Sequence, residues 1–363
     1  MELWSGLLFA AQAVTMAIFS PIWGAVADRY GRKLMVMRAM LGGAVILTLM
    51  GFVQNVQQLL ILRAIQGMLT GTVTAATTLV ASTAPRERSG YALGLLQMAI
   101  WGGASLGPMM GGLIADTWGY RAAFIAPGVL LFLAGLTIWL FVEEEFEPPE
   151  KTGEKGDTFL DGLKLVVRNR TILSLFATGF SVRSATRLMG PVLPLFIQSL
   201  APGSERIASL TGLISGVRAG SGAAGAVTLG RASDKLGHRR VLLASAAVVA
   251  TLYVPQFFVT EAWQLLVLQG GLGFAMTGVL ASLSALLARE APKGREGVVY
   301  GVEASVSSGA NALGPMLGAA AATTLGLRAP FLIAAGTIAL AWIVAWALVP
   351  GRGAAETGAG PPT

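Results

Sequence analysis

Residues 24–33 read GAVADRYGRK, and residues 230–239 read GRASDKLGHR. The two stretches share a glycine, an aspartate, a basic residue, a second glycine and a final basic residue at the same spacing, 206 positions apart. Further matches at an offset of 206 or 207 are Gly67 with Gly273, Gly107-Pro108 with Gly314-Pro315, and Gly119-x-Arg121-x-x-Phe124 with Gly326-x-Arg328-x-x-Phe331. Agreement at this many turn positions predicts an internal repeat, in which one structural unit occurs twice.

The sequence around these stretches is apolar. Hydrophobic residues make up 54% of the 363 residues and charged residues only 12%, whereas a soluble domain is usually about one quarter charged. The apolar runs are continuous and long enough to cross a hydrocarbon layer of ~30 Å, and they do not alternate as barrel strands do. The pattern predicts an all-α integral membrane protein with eleven spans, at roughly 4–26, 34–53, 57–80, 90–114, 122–142, 171–199, 208–229, 241–259, 263–288, 297–323 and 329–349.

The basic residues fix the expected orientation. When loops are assigned alternately to two sides, eighteen of the 26 Lys and Arg residues fall on one side and three on the other. The positive-inside rule makes the first side cytoplasmic, which puts the C-terminus inside a multi-pass protein of a bacterial cytoplasmic (inner) membrane. Basic loops facing anionic lipids explain the net charge of +7 without a nucleic-acid partner.

Several function classes lack the residues they need. The chain has no cysteine and a single histidine, His238, so a disulfide framework, a thiol nucleophile and a Cys/His metal site are excluded. It has no phosphate-binding Gly-x-x-x-x-Gly-Lys-Ser/Thr loop and no His/Asp/Glu cluster suited to catalysis. We therefore expect neither an enzyme nor a bound cofactor or metal.

The repeat also predicts the domain organisation. Residues 1–142 form a bundle of five spans, 143–170 a charged cytoplasmic linker, 171–349 a bundle of six spans, and 350–363 a disordered cytoplasmic tail. The segment 171–203 has no counterpart within the first half. The expectation is a twelve-helix ancestor whose first helix would precede residue 1, so that the eleven spans correspond to helices 2 to 12.

The motifs resemble those of the major facilitator superfamily. The loop at 24–33 is similar to the family signature, and Arg63-Ala-Ile-Gln66-Gly67 resembles its second motif. The series Gly94-x8-Gly103-x3-Gly107-Pro108-x2-Gly111-Gly112 resembles the motif associated with antiporters. Across 4–146 the chain is similar to bacterial drug:proton antiporters of the multidrug-resistance (MdtG-like) group. The resemblance implies two pseudo-symmetric helical bundles, a small-molecule substrate, the proton gradient as energy source, and a monomer in contact with membrane lipids.

The resemblance also implies roles for two groups of residues. The first group would act as a charge latch that holds one conformation closed: Gly24, Asp28, Arg29, Gly31, Arg32, Asp234 and Arg239. The alternative is a basic loop that only sets orientation. The second group would allow close helix packing and, at Pro108, bending: Gly94, Gly103, Gly107, Pro108, Gly111 and Gly112. The alternative there is packing alone.

Charged residues inside spans are the candidates for binding and coupling. Each costs about 2.5–3.5 kcal/mol at the bilayer centre on insertion scales, so such residues normally face a wet cavity or a partner. The candidates are Arg63, Arg183, Arg187, Arg218 and Glu303. Arg183 and Arg187 are four residues apart and share one helix face. Glu303 is the candidate proton carrier, with an ion pair to Arg218 as the alternative.

Arg63, Arg183 and Arg187 are the best candidates to line the central cavity that the resemblance implies. Three positive groups there favour an anionic or amphiphilic substrate. The leading hypothesis is a secondary transporter that expels small molecules in exchange for inward-moving protons. A solute importer or facilitator of the same fold, or a non-transporting fragment that lacks the first helix, are the alternatives.

A reporter enzyme fused within 143–170 should be active only in its cytoplasmic form, because this segment carries much of the basic charge that the positive-inside rule keeps inside. Activity of a periplasmic reporter at the same positions would refute the eleven-span topology.

Overall fold

The computed structural model describes residues 2–69, 71–83, 89–144, 169–291 and 296–349. Within these ranges the regular structure is helical and contains no strand, which confirms the predicted all-α class. The first-half helices are α1 (Glu2–Tyr30), α2 (Arg32–Met50), α3 (Val56–Leu69), α4 (Thr72–Thr83), α5 (89–118) and α6 (120–141). The second-half helices are α7 (Arg170–Leu200), α8 (Ile207–Leu236), α9 (His238–Gln256), α10 (Ala262–Glu290), α11 (Glu296–Leu325) and α12 (Ala329–Leu348).

The helices confirm the predicted spans to within a few residues, with one difference. The span predicted at 57–80 is two helices, α3 and α4, which end and begin on either side of Gly71. Gly71 has a φ of 134°, a conformation that side chains with a Cβ rarely adopt and that interrupts a helix. Another glycine, Gly119 (φ 85°, ψ 163°), separates α5 from α6, so the two helices follow one another without an intervening loop.

A stricter criterion of helix length and mean hydropathy identifies fewer membrane-spanning segments than the eleven predicted from the apolar runs. By length and composition, four helical segments of the described part are long and apolar enough to cross a membrane: Arg32–Met50, Gly94–Phe141, Ala262–Glu290 and Ala329–Leu348. The other spans carry many Gly, Ser, Thr and Arg residues, as α8 shows with the run from Ser215 to Gly225. Small and polar residues lower mean hydropathy but are the residues that pack helices together in lipid.

The chain divides into two compact units. The first comprises Met1–Gly153 and Ile197–Gly216, and the second comprises Glu154–Phe196 and Val217–Thr363. The boundaries predicted from the repeat, at 142, 170 and 349, stay a prediction. Most of the predicted linker (145–168) and all of the predicted tail (350–363) lie outside the described residues.

The repeat is visible as the same backbone geometry within each unit. Gly31 and Gly237 have φ values of 95° and 96°, and Gly119 and Gly326 have values of 85° and 91°. A Cβ added at Gly67 would collide with the carbonyl of Gln12, which is on α1. A Cβ added at Gly273 would collide with the carbonyl of Arg218, on α8. Both contacts join positions that are equivalent at an offset of 206.

Gly67→Ala and Gly273→Ala should each lower the melting temperature of the detergent-solubilised protein by several degrees. The added methyl group meets backbone that cannot move aside, and overpacking of this kind costs about 1–3 kcal/mol. Gly336→Ala is the matched control, because a Cβ there meets nothing within 4 Å among the described residues. Equal melting temperatures for Gly273→Ala and Gly336→Ala would contradict the close contact.

Candidate functional site

The signature loop between α1 and α2 turns at Gly31. This residue is buried with φ 95° and ψ 155°, a backbone conformation that glycine adopts without a steric penalty. Gly24, Asp28 and Arg29 lie in the last two turns of α1, and their side chains lie outside the described part of the structure. The latch role of Asp28 therefore stays a prediction.

The start of α2 is capped by a residue that sequence reasoning missed. The carboxylate of Glu144 accepts hydrogen bonds from the backbone N–H groups of Arg32 (2.9 Å) and Lys33 (2.7 Å). A negative charge at a helix N-terminus is stabilising, and α2 has no acidic residue in its own first turn. The run Glu143-Glu144-Glu145 is visible in the sequence, but no local pattern indicates which carboxylate reaches back over 111 residues.

The basic residues of the signature make the same contact in both copies. Lys33 Nζ donates to the carbonyl oxygen of Trp139 (3.2 Å), near the end of α6. In the second copy, Arg239 Nη2 donates to the carbonyl oxygen of Trp346 (2.7 Å), near the end of α12. Cations at helix C-termini satisfy carbonyls that have no partner within the helix. Arg239 thus ties two helices of one unit together, and Asp234 is exposed.

The glycine motif of α5 makes close contact at only one of its five glycines. A Cβ added at Gly112 would collide with the carbonyl of Ala208. Conversely, the carbonyl of Pro108 lies against Gly212. A Cβ added at Gly94, Gly103, Gly107 or Gly111 would meet nothing within 4 Å among the described residues, so the predicted close packing does not extend to these four.

Polar contacts accompany this close approach in the first unit. Ser105 Oγ donates to the carbonyl of Gly216 (2.9 Å). The carboxylate of Asp116 accepts from the backbone N–H groups of Ala208 (3.3 Å) and Ser209 (2.7 Å), and so caps the first turn of α8. Asp116 was not predicted, because its partners lie more than 90 residues away.

The equivalent glycines of the second unit are packed. Gly314 and Gly318 on α11 correspond to Gly107 and Gly111 on α5. A Cβ at Gly314 would collide with the α7 backbone at Ser184 and the side chain of Arg187, and a Cβ at Gly318 with the carbonyl of Leu188. The face that α7 covers on α11 is therefore the face that is open on α5.

Arg63 is bound by amides. Its Nη1 donates to Gln12 Oε1 on α1 (3.1 Å) and to Gln66 Oε1 one turn along α3 (3.2 Å). In the second unit Arg218 on α8 is equivalent to Gln12 on α1, and Gln269 on α10 is equivalent to Arg63 on α3. The arginine is therefore on the later helix of the pair in the first unit and on the earlier helix in the second. The buried Gln269 donates through Nε2 to Gln256 Oε1 (2.9 Å).

The second unit brings four of the predicted side chains close to one another. Arg183 on α7 forms an ion pair with Glu303 on α11, and both side chains are mostly buried, with 29% and 24% exposed. The alternative partner that the sequence suggested for Glu303, Arg218, is wrong, because α7 lies directly against α11. Arg187 Nε donates to Asn311 Oδ1 (2.7 Å). Arg187 lies one turn after Arg183 on α7, and Asn311 lies two turns after Glu303 on α11. Arg183 and Arg218 are close enough to Arg187 to act on it electrostatically.

The charges in this cluster do not cancel. Three guanidinium groups face one carboxylate, which leaves an excess of two positive charges among Arg183, Arg187, Arg218 and Glu303. Arg187 is exposed in the structure. No group of three or more His, Cys, Asp or Glu side chains that could hold a metal ion was found among the described residues. The geometry suits the binding of an anion or a proton.

Comparison with known proteins gives a consistent result. A family model described as Major Facilitator Superfamily matches residues 4–203 and 175–361. The chain is 38% identical over 349 residues to the multidrug resistance protein MdtG of Dickeya zeae, covering 95% of this chain and 84% of the relative. It is 36% identical over 347 residues to the protein of the same name from Salmonella arizonae, covering 95% and 85%.

Two solved structures share the fold. One is a mutant of the nucleoside transporter NupG, with a TM-score of 0.78 at 13% identity, over 96% of this chain and 91% of the other. The second is a bacterial homologue of the human lysosomal transporter Spinster, with a TM-score of 0.78 at 15% identity, over 96% and 89%. At these identities the similarity establishes the fold alone.

A double-mutant cycle on Arg183→Met and Glu303→Gln should give a coupling energy of about 1–3 kcal/mol in thermal unfolding of the solubilised protein. Each single change leaves one charge between the helices without its partner, whereas the double change removes both charges. The same cycle with Arg218→Met in place of Arg183→Met should give a smaller coupling, and the reverse order would contradict the observed pairing.

Proposed function

The chain belongs to the major facilitator superfamily, and from this premise we propose that it is a secondary transporter that expels drugs or other small amphiphilic molecules in exchange for inward-moving protons. The observation that carries the proposal is the Arg183–Glu303 ion pair between α7 and α11, beside the exposed Arg187. Charged groups inside membrane helices are costly and normally mark a substrate or proton pathway. The names of the relatives, at 36–38% identity over 95% of the chain, support drug export as its direction.

Glu303 is the proposed proton carrier. In the proposed cycle the drug-loaded chain moves with Glu303 ionised and paired to Arg183. The empty carrier can return with Glu303 protonated. This order of events exchanges one substrate for one proton and needs no bound cofactor.

The contact between α5 and residues 208–216 is the proposed moving joint. Gly112 and Gly212 allow two backbones to touch, and Asp116 holds the end of this contact by capping α8. Contacts of this kind are either fully made or broken, because packed backbones do not deform gradually. Transporters of this superfamily expose a midplane site alternately by movements of packed helical bundles.

The location and assembly state belong to the same proposal. The distribution of Lys and Arg supports a bacterial inner membrane with the C-terminus in the cytoplasm. We propose a monomer whose partners are its substrate, protons and lipids.

Proton-linked uptake is the second candidate function. One observation favours it: the cluster of Arg183, Arg187, Arg218 and Glu303 contains three arginines and one carboxylate. A positively charged site attracts anions rather than cationic drugs. The direction of proton movement separates the two functions.

In everted vesicles that contain the chain and are energised to acidify their interior, addition of a neutral amphiphilic drug should restore the fluorescence of a quenched pH indicator. Protons leave the lumen as the drug enters it. Glu303→Gln should bind the drug but abolish the recovery, since it removes the titratable group. Recovery that persists in Glu303→Gln would place the proton elsewhere, and no recovery in the unaltered protein with any drug tested would contradict exchange.

A further inference from the structure

The cluster of Arg183, Arg187, Arg218 and Glu303 carries two positive charges more than negative ones, and this excess affects what the cluster can bind. Arg183 and Arg187 are one helical turn apart on α7, and Arg218 on α8 lies within electrostatic reach of Arg187. One carboxylate, Glu303, is paired with this group in the structure. Guanidinium groups stay charged under all physiological conditions, so the excess cannot be removed by deprotonation. A bound anion would remove part of it.

Arg187 has the donors for such an anion. A guanidinium group carries five N–H donors, and among the described residues Arg187 engages the one on Nε, in the hydrogen bond to Asn311. The four donors on Nη1 and Nη2 form a planar fork that matches a carboxylate, phosphonate or sulfonate. The bond from Nε to Asn311 orients this fork, and the exposure of Arg187 makes it reachable.

Glu303 and a bound anion compete for the guanidinium group of Arg183, because Glu303 is paired with it in the structure. An anion that spans Arg183 and Arg187 must take Arg183 away from Glu303. An ionised Glu303 left without its partner between helices is costly, whereas a protonated Glu303 is neutral and costs far less. Binding of the anion and protonation of Glu303 therefore help each other, because each removes the obstacle to the other.

We propose that this cluster binds an organic anion together with a proton: the anion on Arg183 and Arg187, and the proton on the carboxylate of Glu303. The proton comes from water, no covalent bond to the anion forms, and the net charge of the site with both ligands is the same as when it is empty.

The surroundings of Glu303 leave it as the proton acceptor of the cluster. By helix, the titratable and charged groups are Arg170, Arg183 and Arg187 on α7; Arg218, Arg231, Asp234 and Lys235 on α8; His238, Arg239, Arg240 and Tyr253 on α9; Arg289 and Glu290 on α10; Glu296, Tyr300 and Glu303 on α11; and none on α12. On its own helix, Ser307 Oγ lies 3.5 Å from Glu303 Oε1. The charged group paired with Glu303 is the guanidinium of Arg183, which stays protonated and does not titrate.

The inference rests on the proposed function in one respect, that the cluster lies on the substrate path. It adds a prediction about whether the substrate and the proton move in opposite directions or in the same direction. A substrate that leaves the ion pair intact exchanges with a proton, and a substrate that binds as an anion travels with one.

The test uses the full chain in lipid nanodiscs and two matched probes, a naphthalene sulfonate and the corresponding neutral sulfonamide. A sulfonate stays ionised throughout the pH range, so any pH dependence belongs to the protein. Adding the sulfonate in weak buffer should cause uptake of up to one proton per anion bound. Its affinity should rise as the pH is lowered, by at most tenfold per pH unit, while the affinity of the sulfonamide should not.

Three variants make the assignment specific. Glu303→Gln should bind the sulfonate tightly at every pH and take up no proton, and Glu303→Asp should keep the pH dependence. Arg187→Gln should weaken sulfonate binding at least tenfold, and a cooperative thermal unfolding transition shows that the variant is folded. Arg206→Gln, at an exposed arginine that precedes α8, is the matched control and should behave as the unaltered protein.

Two results would overturn the proposal: equal affinities for the sulfonate and the sulfonamide, or release of protons when the sulfonate binds. Neither result affects the exchange of a neutral drug in everted vesicles, which tests the proposed function separately. Conversely, a chain that shows no drug exchange can still show proton-linked binding of the sulfonate.

Discussion

A charged group between membrane helices must be paired, solvated or both, and the contacts between α7 and α11 meet this requirement. Arg183 is paired with Glu303, and Arg187 donates to Asn311 while its side chain stays exposed. The close approach that these contacts need is provided by Gly314 and Gly318, where α11 lies against the backbone of α7. The polar contacts and the glycine packing thus depend on each other: larger residues at these glycines would separate the helices and leave the charges unpaired.

Sequence reasoning predicted the features that depend on local pattern. The spans follow from continuous apolar runs, and the turns at Gly31 and Gly237 follow from glycines at equivalent places in the repeat. The break at Gly71 was missed, because the residues around it are small and include neither a proline nor a charged residue that would end a predicted span. The all-α class and the eleven spans followed from such signals alone.

The features that sequence reasoning missed are contacts between residues far apart in the chain. Glu144 and Asp116 cap helices whose first turns lie about 90 to 110 residues away. The partner of Glu303 depends on which helix packs against α11, and the choice of Arg183 over Arg218 is a matter of tertiary geometry. Composition and periodicity indicate that a buried charge needs a partner, but they do not identify it. The repeat supplied the best long-range information, since it predicted which glycines are equivalent.

Gln12 and Arg63 in the first half are replaced by Arg218 and Gln269 at the equivalent positions of the second half. This difference shows how two halves with the same fold can become chemically different. The two halves have kept the same glycine contact while moving the arginine from one helix to its neighbour, and Leu96 stands at the position equivalent to Glu303. A protein built from two copies of the first half would have no carboxylate at that depth. Divergence between the halves, rather than duplication itself, therefore placed a carboxylate at this position in one half alone, which makes two structurally similar halves chemically unequal.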